Sequence, residues 1–93
     1  MMYDRVYSAR FKRDLRRARK QGKDLTLLEE AIDMLAKGEI LPAEYRDHPL
    51  KGKYKGFREC HIEDDWLLIY KRDKGILVLL LSRTGTHSEL FNE

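Results

Sequence analysis

A single cysteine, Cys60, is present in 93 residues, so no disulfide can form within the chain. With a core this small and no covalent staple, the sequence suits a reducing cytoplasm. Cys60 itself reads as a small buried or half-buried thiol, the commoner use of an isolated cysteine, rather than a nucleophile. No secretory leader is expected, because Asp4, Arg5 and Arg10 interrupt the first residues. The longest apolar run, Ile76 to Leu81, is far too short to cross a bilayer, and no membrane partner is expected. A glycine-rich loop ending in Lys-Ser/Thr is missing, as are Cys-x-x-Cys and His-Glu-x-x-His patterns. No serine occupies a nucleophile elbow. These absences argue against nucleotide triphosphatases, dithiol redox proteins, zinc metalloproteases and serine hydrolases, and no cofactor is expected. A zinc site from His48, His61, His87 and Asp65 is arithmetically possible, but their spacing does not suggest one.

What the chain does have is charge. Charged residues make up 38% of it and hydrophobic residues 42%, enough for one modest core. The length suits a single domain, residues 1–93. The net charge of +3 is uneven: residues 1–23 hold nine Lys/Arg against Asp4 and Asp14, leaving −4 for the rest. A polyanion against Arg13, Arg16, Arg17 and Lys20 is one reading of that first quarter. A solvated helix face explains the charge equally well.

Tyr3 to Tyr7 alternates as a short first strand. Ser8 is a plausible N-cap. Phe11, Leu15 and Ala18 then mark the narrow apolar stripe of a helix that Gly22 ends. Asp24 or Thr26 caps a second helix, and Thr26 with Glu29 has capping-box spacing. Leu25, Leu28, Ile32 and Leu35 form its buried face, and Gly38 closes it. After a connector with Pro42 and Pro49, the period changes. Tyr54 to Ile62, Trp66 to Lys71 and Ile76 to Leu81 read as strands of an antiparallel meander. The expected fold is α+β, ordered β-α-α-β-β-β. A first strand and helical hairpin pack on a small antiparallel sheet, and a short C-terminal helical turn follows. The hairpin covers one face of the sheet and leaves the other partly open for a ligand.

All three histidines, His48, His61 and His87, fall in the half that forms the sheet. Imidazole is the side chain whose pKa suits proton transfer near neutrality. Each alone is more often an ordinary surface or hydrogen-bonded histidine, so their joint meaning depends on whether folding gathers them. The His61-to-Asp65 hairpin predicts that these two lie together, with Asp65 orienting an imidazole or accepting a proton. Turn formation is the plainer use of that acid, and core packing the plainer use of Trp66. Arg83-Thr84-Gly85-Thr86-His87 frames a tight loop with an arginine and a histidine, a pair able to hold a phosphate and protonate it. Phe91 offers a ring that either stacks on a base or plugs the core.

Taken in order, Asp47-His48-Pro49-Leu50, then His61 and Asp65 ahead of Trp66-Leu67-Leu68-Ile69-Tyr70, and finally Arg83 to His87 with Leu90-Phe91, carry a resemblance over nearly the whole chain. The chain resembles the YafQ-like branch of the RelE/ParE toxin superfamily. The resemblance implies a RelE-like fold and ribosome-dependent cleavage of mRNA in the 70S A site. It also implies a cognate antitoxin, and contact with operator DNA only through the complex with that antitoxin. It further implies acid–base roles for His48, His61 and His87, a carboxylate at Asp65, phosphate binding by Arg83 and RNA contacts by Trp66 and Phe91, without metal. Asp64 departs from the pattern, since a proline is familiar in that turn. Two other readings stay open: a ParE-like gyrase inhibitor of the same fold, which needs no such histidine cluster, and a plain RNA-binding domain. The run Ile76 to Leu81 is apolar on both strand faces, which predicts helices against one and an antitoxin segment against the other.

Overall fold

The computed structural model describes residues 2–91. Strand β1 (Asp4–Tyr7) leads into helices α1 (Ala9–Lys20) and α2 (Leu25–Ala36). A two-residue strand β2 (His48–Pro49) follows, then β3 (Arg58–Glu63), β4 (Trp66–Asp73), β5 (Val78–Gly85) and the short helix α3 (His87–Phe91). The sheet order is β1-β5-β4-β3-β2.

The meander β3-β4-β5 is antiparallel as expected, but the sheet as a whole is mixed. Strand β1 pairs parallel to β5, with Asp4 opposite Val78 and Tyr7 opposite Leu81. The connection between these parallel neighbours is long, as it must be: the chain passes through the helical hairpin to β2 at the opposite edge and returns through β3 and β4 to β5. Four exposed residues of β1 hold no pattern that tells parallel from antiparallel pairing.

Helix α1 begins where Ser8 places it. The Ser8 hydroxyl accepts from the Phe11 amide at 2.9 Å and donates to the Ser82 carbonyl at 2.7 Å, tying the helix start to β5. Gly22, at φ 76°, turns the chain out of α1, and the Lys23 amide closes back on the Ala18 carbonyl at 3.1 Å. Asp24 caps α2 through the Thr26 amide at 3.1 Å. The Thr26–Glu29 capping box is not used, because the Thr26 hydroxyl itself donates to Asp24.

The hairpin buries Phe11, Ala18, Leu28, Ile32 and Leu35 against Cys60, Trp66, Leu68, Tyr70, Leu79 and Leu81 of the sheet. A smaller cluster on the opposite face gathers Leu67, Ile69 and Leu90 under Leu50, Tyr54 and Phe57. That face is therefore partly roofed by the connector and α3. Strand β3 starts four residues later than expected, because a 3-10 turn at Gly52–Tyr54 and Gly56 at φ 93° bend the chain first. Strand β5 starts two residues late: Ile76 is 69% exposed and Leu77 has φ 54°, so the apolar run begins in the turn. Among the described residues no helix is long and apolar enough to cross a membrane.

One irregularity decides what the open face presents. Tyr70 pairs with Leu81, yet Ile69 pairs with Arg83, so Ser82 is an extra residue in β5. Such a bulge shifts every later side chain to the opposite face. Without it Arg83 would continue the row of Leu79 and Leu81 into the helices. With it, Arg83 joins Ile69 on the open side.

Candidate active site

Residues directly paired across a sheet share a face, which builds the site from the register. His48 lies opposite Glu59, His61 opposite Leu67, and Arg83 opposite Ile69. All point away from the main core. Helix α3 adds His87 and Phe91 above them. The rings form a row, His48 to His61 at 6.4 Å, His61 to His87 at 5.9 Å and His87 to Phe91 at 6.3 Å between centroids. The three histidines are thus brought together, as their clustering in the sheet half suggested.

Each imidazole is held differently. The backbone amide and Nδ1 of His87 both lie 3.0 Å from Asp65 Oδ1. Nδ1–H donates to this carboxylate, which leaves Nε2 directed outward. The expected partner of Asp65 was His61. The turn instead swings Asp65 towards the start of α3, while a bulge between His61 and Glu63 displaces His61. His61 Nδ1 sits between the Arg46 guanidinium at 3.2 Å and the Asp64 carbonyl at 3.3 Å. One is a donor and the other an acceptor, so either tautomer finds a partner. His48 Nδ1–H donates to the Arg46 carbonyl at 2.7 Å, and its Nε2 lies 3.4 Å from Glu59 Oε1. Asp47 anchors this connector by accepting from the Tyr70 hydroxyl at 2.7 Å and from Arg58 at 3.3 Å. Burial first, and the Asp47 carboxylate second, raise the Tyr70 phenol, which stays a donor.

Glu59 was missed by sequence reasoning. It is 3% exposed, and its Oε2 has no partner among the described residues. The available signal was alternation: a carboxylate two residues before His61 on a strand shares its face.

Two expected contacts, Trp66 and Arg17, are corrected, and a third, Arg83, is narrowed to one nitrogen. Trp66 is wholly buried on the helix side of the sheet, its Nε1–H donating to Thr84 Oγ1 at 2.9 Å. It is part of the core, with no exposed surface to offer a base. Arg17 is half-buried and committed to Asp14 at 3.2 Å and Glu89 at 3.3 Å, so it is not a free cation for a polyanion. Arg83 does face the open side, but it is only 6% exposed and paired with Asp14 at 2.7 Å. Its Nη1 is the nitrogen left without a partner among the described residues. Its hydrogen bonds to the Asp14 carboxylate raise its pKa further. Arg13, Arg16 and Lys20 remain exposed, and Phe91 is 43% exposed with its edge on Tyr54 at 5.8 Å.

Among the described residues no three His, Cys, Asp or Glu side chains converge closely enough to hold a metal ion. Asp65 is held below the usual carboxylate value, first by the His87 amide and then by its ring. The Asp65–His87 pairing is therefore complete above the ordinary aspartate value, about 3.9, and is lost as pH falls through the depressed one. A carbon-detected NMR titration should place the Asp65 midpoint below that of a free aspartate. In His87→Ala the midpoint should rise only part of the way, because the backbone amide remains. An Asp65 midpoint at the ordinary value in the native chain would mean that the pair is not formed in solution.

Comparison with known proteins places the fold in a family. The YafQ family model, a bacterial toxin of type II toxin–antitoxin systems, matches residues 3–92. The mRNA interferase toxin YafQ of Escherichia coli K12 is 44% identical over 90 residues, covering 95% of each chain. The toxin in the solved E. coli DinJ–YafQ toxin–antitoxin complex superposes with a TM-score of 0.89 at 41% identity, covering 98% of this chain and 99% of that one. A metal-bound toxin from Helicobacter pylori superposes with the same score, 0.89, at 45% identity, covering 98% and 100%. The chain belongs to the YafQ family of bacterial type II toxin–antitoxin toxins.

Proposed function

We propose that this toxin is an mRNA interferase, an endoribonuclease that cuts translated message on the ribosome with its own side chains. The observation that carries the reading is the row of three histidines on the open sheet face, with His87 pinned by Asp65. The family relationship to proteins named mRNA interferases supports it.

RNA brings its own nucleophile, the 2′-hydroxyl beside the scissile phosphate. A base takes the 2′-hydroxyl proton, the 2′-oxygen attacks phosphorus, and the bond to the 5′-oxygen breaks. Products are a 2′,3′-cyclic phosphate, or its hydrolysed form, and a free 5′-hydroxyl. His87 is the acid: its Nδ1–H bond to Asp65 fixes the ring with Nε2 free, and a proton carried on Nε2 passes to the leaving 5′-oxygen. Because Asp65 is spent on His87, the base falls to His61, whose Nδ1 has a donor and an acceptor within reach and so tolerates gain or loss of a proton. Arg83 Nη1 supplies charge to the phosphate. His48 and Glu59 complete the polar floor, and the half-exposed ring of Phe91 is the one on which a base would stack. No metal step is needed.

A cognate antitoxin is the expected protein partner, with operator DNA contacted through their complex. Arg13, Arg16 and Lys20 on exposed α1 would lie against ribosomal RNA, making activity fall with salt. Primer extension on a reporter message in a purified translation system, with EDTA-treated toxin and normal magnesium for the ribosomes, tests the nuclease reading, its ribosome dependence and its independence of metal. Discrete cuts within codons, present only with ribosomes, are expected. Intact message with translation unaffected would overturn the nuclease reading. Cuts in naked RNA would overturn ribosome dependence alone, and cuts that need another metal restored would overturn metal independence.

A further inference from the structure

Asp14 has no role in the chemistry above, yet it is among the most connected side chains in the molecule. It sits on the buried stripe of α1, three residues after Phe11 and four before Ala18, where an apolar residue would pack without penalty. Its two oxygens accept from Arg83 Nε at 2.7 Å and Nη2 at 3.2 Å, a bidentate fork. They also accept from the Thr84 amide at 3.1 Å and from Arg17 at 3.2 Å. The side chains of Asp14 and Arg83 are 5% and 7% exposed.

A pair buried this deeply is often no more stabilising than well-packed apolar residues, so stability alone does not account for it. What the fork does is fix a direction. Arginine has a long, freely rotating stem. Two of its three nitrogens are held by Asp14, and the third, Nη1, is buried on a side chain that also lies close to the Tyr54 hydroxyl, with no hydrogen-bond partner among the described residues, at a cost that an incoming anion would remove. The same carboxylate governs α3. Arg17 runs from Asp14 to Glu89 at 3.3 Å, and Glu89 closes a reciprocal capping box with Thr86, whose amide donates to it at 2.9 Å while its hydroxyl accepts from the Glu89 amide at 3.1 Å. His87 follows directly. Gly85 makes room for this network, since a Cβ there would come within 2.9 Å of both Arg17 Nη2 and Glu89 Oε1.

We propose that Asp14 is a positioning residue: from α1 it aims the free Nη1 of Arg83 at the scissile phosphate and, through Arg17 and Glu89, sets the spacing between that donor and His87. This rests on reading Arg83 as the phosphate contact. The benefit is preorganisation, a donor already in place when charge develops. Substrate binding does not depend on it, so its loss acts on the rate of the step rather than on occupancy.

The test is single-turnover cleavage of ribosome-bound message by wild type, Asp14→Asn, Arg83→Gln and the double variant, each scaled to its folded fraction. Asp14→Asn is expected to lower the rate at saturating toxin about 10- to 100-fold, the scale of a small misplacement, with half-saturation little changed. In the Arg83→Gln background it should have almost no further effect. A wild-type rate for Asp14→Asn beside a defective Arg83→Gln overturns the positioning role and leaves the phosphate reading standing. A wild-type rate for Arg83→Gln overturns both. An equal fold-loss in both backgrounds means that Asp14 does not act through Arg83, and also overturns the proposal. Should Asp14→Asn fail to fold, the wild-type chain still decides: NMR should find the Arg83 Nε proton slow to exchange, and rapid exchange overturns the fork.

Discussion

Replacing His87 with alanine should lower the single-turnover rate of message cleavage by about 10²–10⁴, the range assigned to a positioned general acid. The loss should come with almost no change in stability, because His87 is exposed and its amide bond to Asp65 survives the substitution. Arg83→Gln should cost about 10²–10³, the scale of removing one preorganised donor from a developing oxyanion. Its effect on stability is of another order. Arg83 neutralises a buried carboxylate, and removing one partner of such a pair costs about 3–5 kcal/mol when nothing replaces it. Glutamine retains a donor for Asp14, which is why it is preferred to alanine. The contrast between the two sites is therefore itself a test: His87 separates rate from stability, and Arg83 joins them. Cleavage by His87→Ala at the wild-type rate would remove the acid from the mechanism. Denaturation midpoints would then show whether Arg83 acts on RNA or only on the fold.

Much of this architecture was legible because local physical chemistry was strong. Ser8, Gly22, Asp24 and Gly38 mark helix ends by backbone requirements that their side chains meet nearby. The three-strand meander followed from alternation and turns. The parallel β1 was not legible, because pairing direction is a property of the crossover and not of four residues. The site was half legible. That His48, His61 and His87 gather was suggested by their confinement to the sheet half, but their partners depend on two bulges that no residue type announces. One moves His61 away from Asp65. The other, at Ser82, turns Arg83 to the open face. Asp14 and Glu59 escaped notice for a shared reason: an isolated acid reads as solvent-facing unless its position on the stripe or strand is weighed above its charge. Asp14 lies between Phe11 and Ala18 on a period that pointed inward. Arg17 was misjudged in the opposite sense, its charge suggesting a polyanion when an acid on α3 already held it.

Trp66 gives the sharpest separation of core from contact. Its indole is fully buried among Cys60, Leu68 and the hairpin residues, and its Nε1–H meets Thr84 Oγ1. Trp66→Ala should destabilise the fold by about 3–5 kcal/mol, a loss from the transfer of a large ring plus the cavity it leaves. Against a total of about 5–15 kcal/mol for a small domain, this is a large fraction. At roughly 4–8 °C per kcal/mol, the melting temperature should fall by at least about 12 °C. Trp66→Phe keeps much of the volume and loses one hydrogen bond, at a cost of about 1–2 kcal/mol. Thr84 Oγ–H keeps its bond to the Leu67 carbonyl at 2.7 Å, so the strand carrying Arg83 stays in register. Cleavage per folded molecule by Trp66→Phe should thus remain close to wild type. The chain has one tryptophan, so its fluorescence reports on this site alone. Emission should be blue-shifted, poorly quenched by iodide, and unchanged when RNA is added. Quenching by RNA, or a loss of cleavage in Trp66→Phe with the fold intact, would return the indole to the RNA-binding surface. It would also require the sheet to open at its helix-covered face, a rearrangement that the burial of Leu68, Leu79 and Leu81 makes costly.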